Sequence, residues 1–230
     1  MPKRAVIIVA GGTGTRMNSK IAKQFLPLSG KPVLIHTFEA FERFDPEMQF
    51  ILVLFPALKK QWEEIAKEYN FNLPHTIVDG GEERFHSVRN GLSAVSPDVE
   101  IIAIHDAVRP LVSQATIKGC MDAAANFGGA FPVLPFIDTI RKMEGKTSST
   151  IPRHQLVSVQ TPQCFKTEII KEAYNLEYDM AFTDDASVAA ASNFPVDLVN
   201  GNRTNLKITT SEDLAIAEAL LAYNSKGEAK

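Results

Sequence analysis

Apolar residues gather in short runs along this chain, at Ala5 to Ala10, Phe50 to Phe55, Thr76 to Val78, Ile101 to Ile104, Ala130 to Leu134 and Val196 to Val199. The runs are apolar almost throughout rather than alternating, the pattern of strands buried on both faces. Between them the spacing changes to helical. Val33, Leu34, Ile35, Phe38 and Phe41 form one such set, and Trp62, Ile65, Ala66 and Tyr69 a second. Phe85, Val88, Leu92 and Val95 form a third, and Ala215, Ile216, Ala219 and Leu220 the last. Each set predicts a helix with one face against a core. Strand and helix alternate, so the expected architecture is α/β, a mostly parallel sheet covered on both sides. Ligands of such sheets bind beyond the carboxyl ends of the strands, so functional side chains are expected just after each apolar run.

One stretch breaks the alternation. Residues 136 to 165, FIDTIRKMEGKTSSTIPRHQLVSVQTPQCF, hold two β-like runs on either side of a polar turn from Glu144 to Thr150. This predicts a hairpin projecting from the body at about 136–160. A lone hairpin is marginally stable in water, so it is expected to pack on something, a second copy of the chain being the natural partner. Nothing else in 230 residues of 45% hydrophobic composition forces a second domain, and 1–230 is read as a single unit.

Charge and cysteine content narrow the partners. The net charge is −3 and the basic residues are interspersed with acids, which gives no footprint for nucleic acid and points to a small ligand. Cys120 and Cys164 are far apart in the sequence, with no paired-cysteine motif, so neither zinc nor a disulfide framework is expected and a reducing cytoplasm fits. The five histidines show no metal-ligand spacing. About six apolar residues precede the first glycines, too few for a signal-peptide core or a membrane span.

The candidate chemistry begins in VIIVAGGTGTRM, residues 6 to 17. A dinucleotide fingerprint starting at Gly12 fails at Met17, and a P-loop starting at Gly11 fails at Arg16. What remains is a turn of backbone N–H groups able to hold anionic oxygens, with Arg16 just beyond it and Lys23 seven residues on. Two cations and such a nest suit a triphosphate. The alternative is a tight strand-to-helix turn with Arg16 on the surface. In IHDAVRP, residues 104 to 110, Asp106 closes a buried strand. It can hold magnesium or a ribose hydroxyl, or simply cap a turn and pair with Arg109. GGEERFHSVRNGL, residues 80 to 92, again follows a strand and places Arg84 and Ser87 on one side of a helix. Its glycines could present backbone groups to a nucleobase, or serve only the turn. Thr209 and Glu212 have capping-box spacing before the last helix, and Lys207 lies in a strand-like run just upstream. TDDAS, residues 183 to 187, reads as a helix N-terminus with acids in its first turn.

In order and spacing, AGGTGTRM, KQFLPLSGKPVLIHT, VDGGEERFHSVRNGL, HDAVRP, DTI, TPQCF, TDDAS and NLKIT make the chain resemble the 2-C-methyl-D-erythritol 4-phosphate cytidylyltransferases over nearly its whole length. The resemblance implies a Rossmann-like three-layer nucleotidyltransferase sheet with a protruding β-arm that is exchanged across a homodimer. It implies transfer of CMP from CTP to methylerythritol phosphate in non-mevalonate isoprenoid synthesis, with Mg2+ as cofactor and neither nucleic acid nor membrane as partner. Residue by residue, it places Ala10, Gly11, Gly12, Thr13 and Gly14 around the ribose and triphosphate, and Arg16 and Lys23 on the phosphates. Gly81, Glu82 and Ser87 match positions that read cytosine, Asp106 and Arg109 the motif beside ribose, metal and second substrate, and Lys207 a lysine at the α-phosphate. Thr139 and Arg153 match arm positions donated by the partner subunit to methylerythritol phosphate. Two positions depart from the pattern: Ala22 stands where relatives often have proline, and Thr204 where many sugar nucleotidyltransferases have an acid. The latter would leave magnesium to Asp106 and the triphosphate.

Competing functions are a ribitol 5-phosphate cytidylyltransferase, which shares the glycine loop, and a nucleotide-binding regulatory module, which would not need Arg16, Lys23, Asp106 and Lys207 together. An NAD-dependent oxidoreductase is disfavoured by Met17 and by Tyr178 standing where a Tyr-x-x-x-Lys pair beginning at Tyr174 needs lysine.

Overall fold

In a computed structural model, which describes residues 2–11 and 21–227, the first apolar run becomes the centre of the fold. β1 (Arg4–Ala10) is followed by a 3-10 turn at Lys23–Phe25, a small ribbon of β2 (Pro27–Leu28) and β3 (Lys31–Pro32), and α1 (Val33–Glu42). β4 (Gln49–Leu54), α2 (Lys59–Glu68), β5 (Thr76–Asp79), α3 (Arg84–Ser93) and β6 (Ile101–Asp106) come next. Then follow α4 (Gln114–Phe127), β7 (Gly129–Pro135), β8 (Ile140–Glu144), β9 (Thr147–Ile151), β10 (Val157–Val159) and β11 (Gln163–Lys166). The described chain ends with α5 (Thr167–Ala173), α6 (Asp185–Ala191), β12 (Asp197–Asn200) and α7 (Ser211–Gly227).

β5, β4, β1 and β6 lie side by side and parallel, and β11 enters antiparallel between β6 and β7. β12 pairs parallel with β7, giving a mostly parallel sheet of eight strands among the described residues. Because successive side chains of a strand face opposite ways, β1 feeds two cores. Val6, Ile8 and Ala10 pack with Leu34, Phe38 and Trp62 on one face; Ala5 and Ile7 pack with Val88 and Leu92 on the other. The result is a three-layer α/β fold of the Rossmann-like kind. From β1 the chain crosses to β4 on one side and later to β6 on the other, so strand order reverses beside β1 and a crevice opens at its carboxyl end.

The six anticipated strands and the helices containing the four periodic sets are present, with bounds shifted by a residue or two. Six local readings change or are added. The hairpin β8–β9 spans 140–151 and turns at Gly145, whose φ is +65°, rather than over Glu144 to Thr150. The chain beyond it does not belong to the projection: β10 and β11 return to the main sheet against β7. α4 was not anticipated, although Ile117, Cys120, Met121 and Ala124 form its buried stripe. α7 buries Ala217 and half-buries Leu214, Leu220 and Leu221, leaving Ala215, Ile216 and Ala219 exposed. Its N-terminal cap is also displaced by one residue: the Asp213 carboxylate accepts from the Thr209 and Thr210 N–H groups while Thr210 Oγ1 accepts from Asp213 N. Finally, Cys120 and Cys164, remote in sequence, meet as free thiols in the core, where burial and the neighbouring sulfur raise the Cys164 pKa.

Candidate active site

The register of the central strands brings the carboxyl ends of β1, β4, β5 and β6 to one rim. Val9 is opposite Asp106, Ala10 opposite Leu54, and Leu54 opposite Asp79. Beyond this rim lies a cavity of about 680 Å³. Among the described residues its lining includes Ala10, Gly11, Lys23, Gly81, Glu82, Ser87, Asp106 and Lys207, all of them sequence candidates. Gly12, Thr13, Gly14 and Arg16 lie outside the described residues.

Each wall has a local cause. The Gln24 amide, buried, donates to the Ala10 carbonyl at 3.1 Å, and Phe25 stacks on Trp62 with ring centres 6.1 Å apart. Lys23 is thereby carried on a segment fastened on two sides. Ala22, just before it, sits at φ −60° and ψ 136°, within the range proline imposes, so the backbone reaches that geometry without the ring. On the opposite wall Ser87, buried at the start of α3, accepts the Gly81 N–H at 3.0 Å. A Cβ at Gly81 would lie 2.3 Å from the His86 Cβ, so only glycine lets this loop close onto the helix. Glu82 is exposed beside it.

Asp106 is the electrostatic centre. Its Oδ2 lies 3.0 Å from Lys207 Nζ and 3.1 Å from Arg109 Nε, and its Oδ1 lies 3.9 Å from Arg84 Nε. Burial alone would raise its pKa, but Lys207, Arg84 and Arg109 outweigh this and hold the carboxyl well below the usual range. The expected pairing with Arg109 is present, and the same carboxylate lines the cavity. Lys207 reaches it from a segment that pairs with no strand and is fastened by Ile208 N–H to Val108 O and by Arg109 Nη1 to Asn205 O. Thr204 accepts the Asn202 amide at 2.8 Å. The described residues contain no group of three or more His, Cys, Asp or Glu arranged to hold a metal. A single buried carboxylate at the rim suits a hard cation that keeps most of its oxygen ligands from phosphate and water, as magnesium does.

Asp106 is aligned from behind by a chain of hydrogen bonds. Its N–H donates to Thr161 Oγ1 (3.1 Å), which lies 3.0 Å from His105 Nδ1, and His105 Nε2 lies 3.1 Å from the Arg109 carbonyl. A carbonyl only accepts, so Nε2 carries the hydrogen and Nδ1 receives that of Thr161. Thr139 and Arg153 are not brought to the cavity within one chain. Both are exposed, and the Arg153 guanidinium donates to the Ile137 carbonyl. Gln24, Phe55 and Pro56 also line the cavity, and Arg84 is the third cation on Asp106, none of which the sequence candidates included. Arg84 had a signal, its shared helix side with Ser87; Phe55 closes the apolar run Phe50 to Phe55, and only the end of β4 at Leu54 places it past the strand.

Gly11, Gly80 and Gly81 at a topological switch point, with two lysines and a buried carboxylate around one cavity, make an α/β site of the class suited to a nucleotide. Comparison with known proteins makes this specific. Residues 4–223 match the family model of IspD, 2-C-methyl-D-erythritol 4-phosphate cytidylyltransferase. The enzyme of that name from Phocaeicola vulgatus is 50% identical over 218 residues, covering 95% of this chain and 99% of the relative. That of Bacteroides thetaiotaomicron is 47% identical over 219 residues, covering 95% and 100%. Among solved structures, 2-C-methyl-D-erythritol 4-phosphate cytidylyltransferase from Thermus thermophilus superposes with a TM-score of 0.78 at 32% identity, over 96% of this chain and 98% of that one. The 4-diphosphocytidyl-2C-methyl-D-erythritol synthase from Anaerococcus prevotii gives 0.80 at 26%, over 96% and 99%. The chain belongs to the 2-C-methyl-D-erythritol 4-phosphate cytidylyltransferase family.

The relay behind Asp106 makes the fold sensitive to acid. Burial lowers the His105 pKa from 6.5 to about 4, against smaller opposing effects of the Arg109 carbonyl and Asp106. Between these values the unfolded chain binds the proton and the folded chain does not, so this contribution to stability is lost as pH falls from 6.5 to about 4. The expected loss is roughly 3 kcal/mol at 1.36 kcal/mol per unit. Urea denaturation of the parent and His105→Gln from pH 7 to pH 4 checks it: the variant should show a shallower decline by about that amount.

Proposed function

We propose that this protein transfers CMP from CTP to 2-C-methyl-D-erythritol 4-phosphate, giving 4-diphosphocytidyl-2-C-methyl-D-erythritol and pyrophosphate in the non-mevalonate isoprenoid pathway. The observation that carries the reading is the convergence of Lys23, Asp106 and Lys207 on the glycine-lined cavity in a chain that matches this family from residue 4 to residue 223. An oxygen of the methylerythritol phosphomonoester attacks the α-phosphorus of CTP, a new P–O bond forms, and the bond to pyrophosphate breaks. The attacking oxygen is already anionic at neutral pH, so no general base is needed. The obstacle is repulsion between anions, and catalysis rests on positioning and on cations placed where charge grows.

In this reading Ala10, Gly11, Gly12, Thr13 and Gly14 surround the ribose and triphosphate, and Arg16 and Lys23 stabilise the departing pyrophosphate. Gly81, Glu82 and Ser87 face the cytosine; the small, glycine-lined wall beside Ser87 supports this. Lys207, released from Asp106 by the arriving phosphates, neutralises the α-phosphoryl oxygens. Asp106 would hold Mg2+ brought in on the triphosphate, and the ion would supply further charge neutralisation there. Arg109 binds the second substrate. Thr139 and Arg153 act across a homodimer, each arm serving the partner's site; their exposure and their absence from the cavity lining within one chain support this. The cytoplasm is the proposed location, supported by the unpaired core thiols.

Pyrophosphate release is the direct assay, with each nucleoside triphosphate in turn against methylerythritol phosphate and ribitol 5-phosphate. Release with CTP and methylerythritol phosphate alone is expected; release only with ribitol 5-phosphate would overturn the substrate, and none with any pair would overturn the activity. For the shared site, mixing Arg153→Ala with Lys23→Ala chains should restore activity, since one site of each heterodimer then holds both residues. Heterodimers as inactive as either single variant would refute the exchange of arms.

A further inference from the structure

Behind the cavity wall, α6 carries a carboxylate that the reaction as described leaves unused. Asp185 is wholly buried, at 0% exposure. It does not cap the helix, because Asp184 already does so, in a capping box with Ser187. Instead Asp185 is gripped at two points by Arg84, from 101 residues earlier: Nη1 to Oδ1 at 2.9 Å and Nη2 to Oδ2 at 2.6 Å. The Tyr174 hydroxyl donates to Oδ1 at 2.6 Å. Burial, reinforced by the Asp185 charge, pushes the Tyr174 phenol well above its ordinary pKa, so it remains a donor.

This pairing spends two nitrogens of Arg84 on the buried side. The third, Nε, lies 3.9 Å from Oδ1 of Asp106, while Lys207 and Arg109 both take Oδ2. One planar guanidinium therefore spans a fixed buried carboxylate and the carboxylate of the cavity. A fork held at two points has little freedom to rotate, so its remaining edge is fixed in direction. A lysine could supply the charge but not the two-point grip on Asp185 that fixes where the charge sits. Phe85 supports the same arrangement by stacking on Tyr174 with ring centres 4.7 Å apart.

We propose that Arg84 is a positioning residue for the transfer: anchored by Asp185, it holds a fixed positive charge beside Oδ1 of Asp106 that favours one rotation of this carboxylate, and so keeps Lys207 and Arg109 on the other oxygen, at the cavity mouth, until the arriving phosphates take Lys207 over. The proposal rests on the cytidylyl-transfer reading above and adds to it a residue that acts through another. Positioning is read in turnover rather than in affinity.

The test is steady-state kinetics and thermal melting of the parent, Arg84→Lys, Asp185→Asn and Tyr174→Phe, with CTP and methylerythritol phosphate. Arg84→Lys should lose about tenfold or more in kcat with KM for CTP within about threefold of the parent, because misplacement acts on the transition state. Asp185→Asn should move kcat in the same direction, and Tyr174→Phe, which keeps the two-point grip, should stay near the parent. Turnover by Arg84→Lys within about threefold of the parent would overturn the proposal. So would a loss confined to KM for CTP, which would make Arg84 a substrate contact. A loss in Arg84→Lys matched by Tyr174→Phe and tracking a common fall in Tm would also overturn it, by showing a structural role. Should Asp185→Asn fail to fold, Arg84→Lys decides alone. A parent chain inactive with these substrates would overturn the reaction itself, a result distinct from an active parent with an indifferent Arg84→Lys.

Discussion

The Asp106 carboxylate draws three cations together at the end of the central strand pair, one of them, Arg84, shared with Asp185, and the site depends on that balance. Its side chain is 11% exposed, and Lys207, Arg109 and Arg84 surround it. Without an anion between them, three positive groups at this spacing would repel one another and lose solvation. With it, they are held close together at the mouth of a cavity suited to a polyphosphate. The arrangement is therefore both a stability device and a store of positive charge that an anionic ligand can take over.

The scaffold explains why the carboxylate can be placed so accurately. β6 is buried throughout, its last residue is Asp106, and the chain turns away at once. Hydrogen bonds through Thr161 and His105 fix the backbone at that point, and Ile208 N–H to Val108 O brings the Lys207 segment alongside. Across the crevice, Gln24 and the Phe25–Trp62 stack hold the segment that carries Lys23. Rigid elements thus carry the functional groups, while the strand reversal at β1 supplies the space between them.

Much of this was legible in the sequence because it is written locally. Apolar runs and the residues directly after them identified β1, β4, β5 and β6 together with Gly11, Gly81, Ser87 and Asp106; Lys23 came from its place shortly after the glycine loop, Lys207 stood out in a strand-like run upstream of the last helix, and Ala10 and Glu82 came only with the family resemblance. What escaped was non-local or ambiguous in period. Asp185 and Arg84 are 101 residues apart, so no local pattern joins them. The core contact of Cys120 with Cys164 depends on β11 inserting beside β6, which a reader of residues 136 to 165 assigns to the projecting hairpin. α7, with many alanines and leucines around its circumference, does not declare its buried face. Thr139 and Arg153 matched a family pattern, yet nothing within one chain brings them to the cavity.

The most direct test of the charge balance is the urea unfolding of Asp106→Asn against the parent, at low salt and without nucleotide. Active-site charges are often costly to a fold, and removing one commonly stabilises it. Here the opposite is predicted: loss of the central anion leaves Lys207 and Arg109 without their carboxylate, beside an Arg84 compensated by Asp185 alone. The unfolding free energy should fall by roughly 2–4 kcal/mol, somewhat less than for a fully buried pair because Lys207 is partly exposed. A variant as stable as the parent, or more so, would contradict the claim that Asp106 holds the site together.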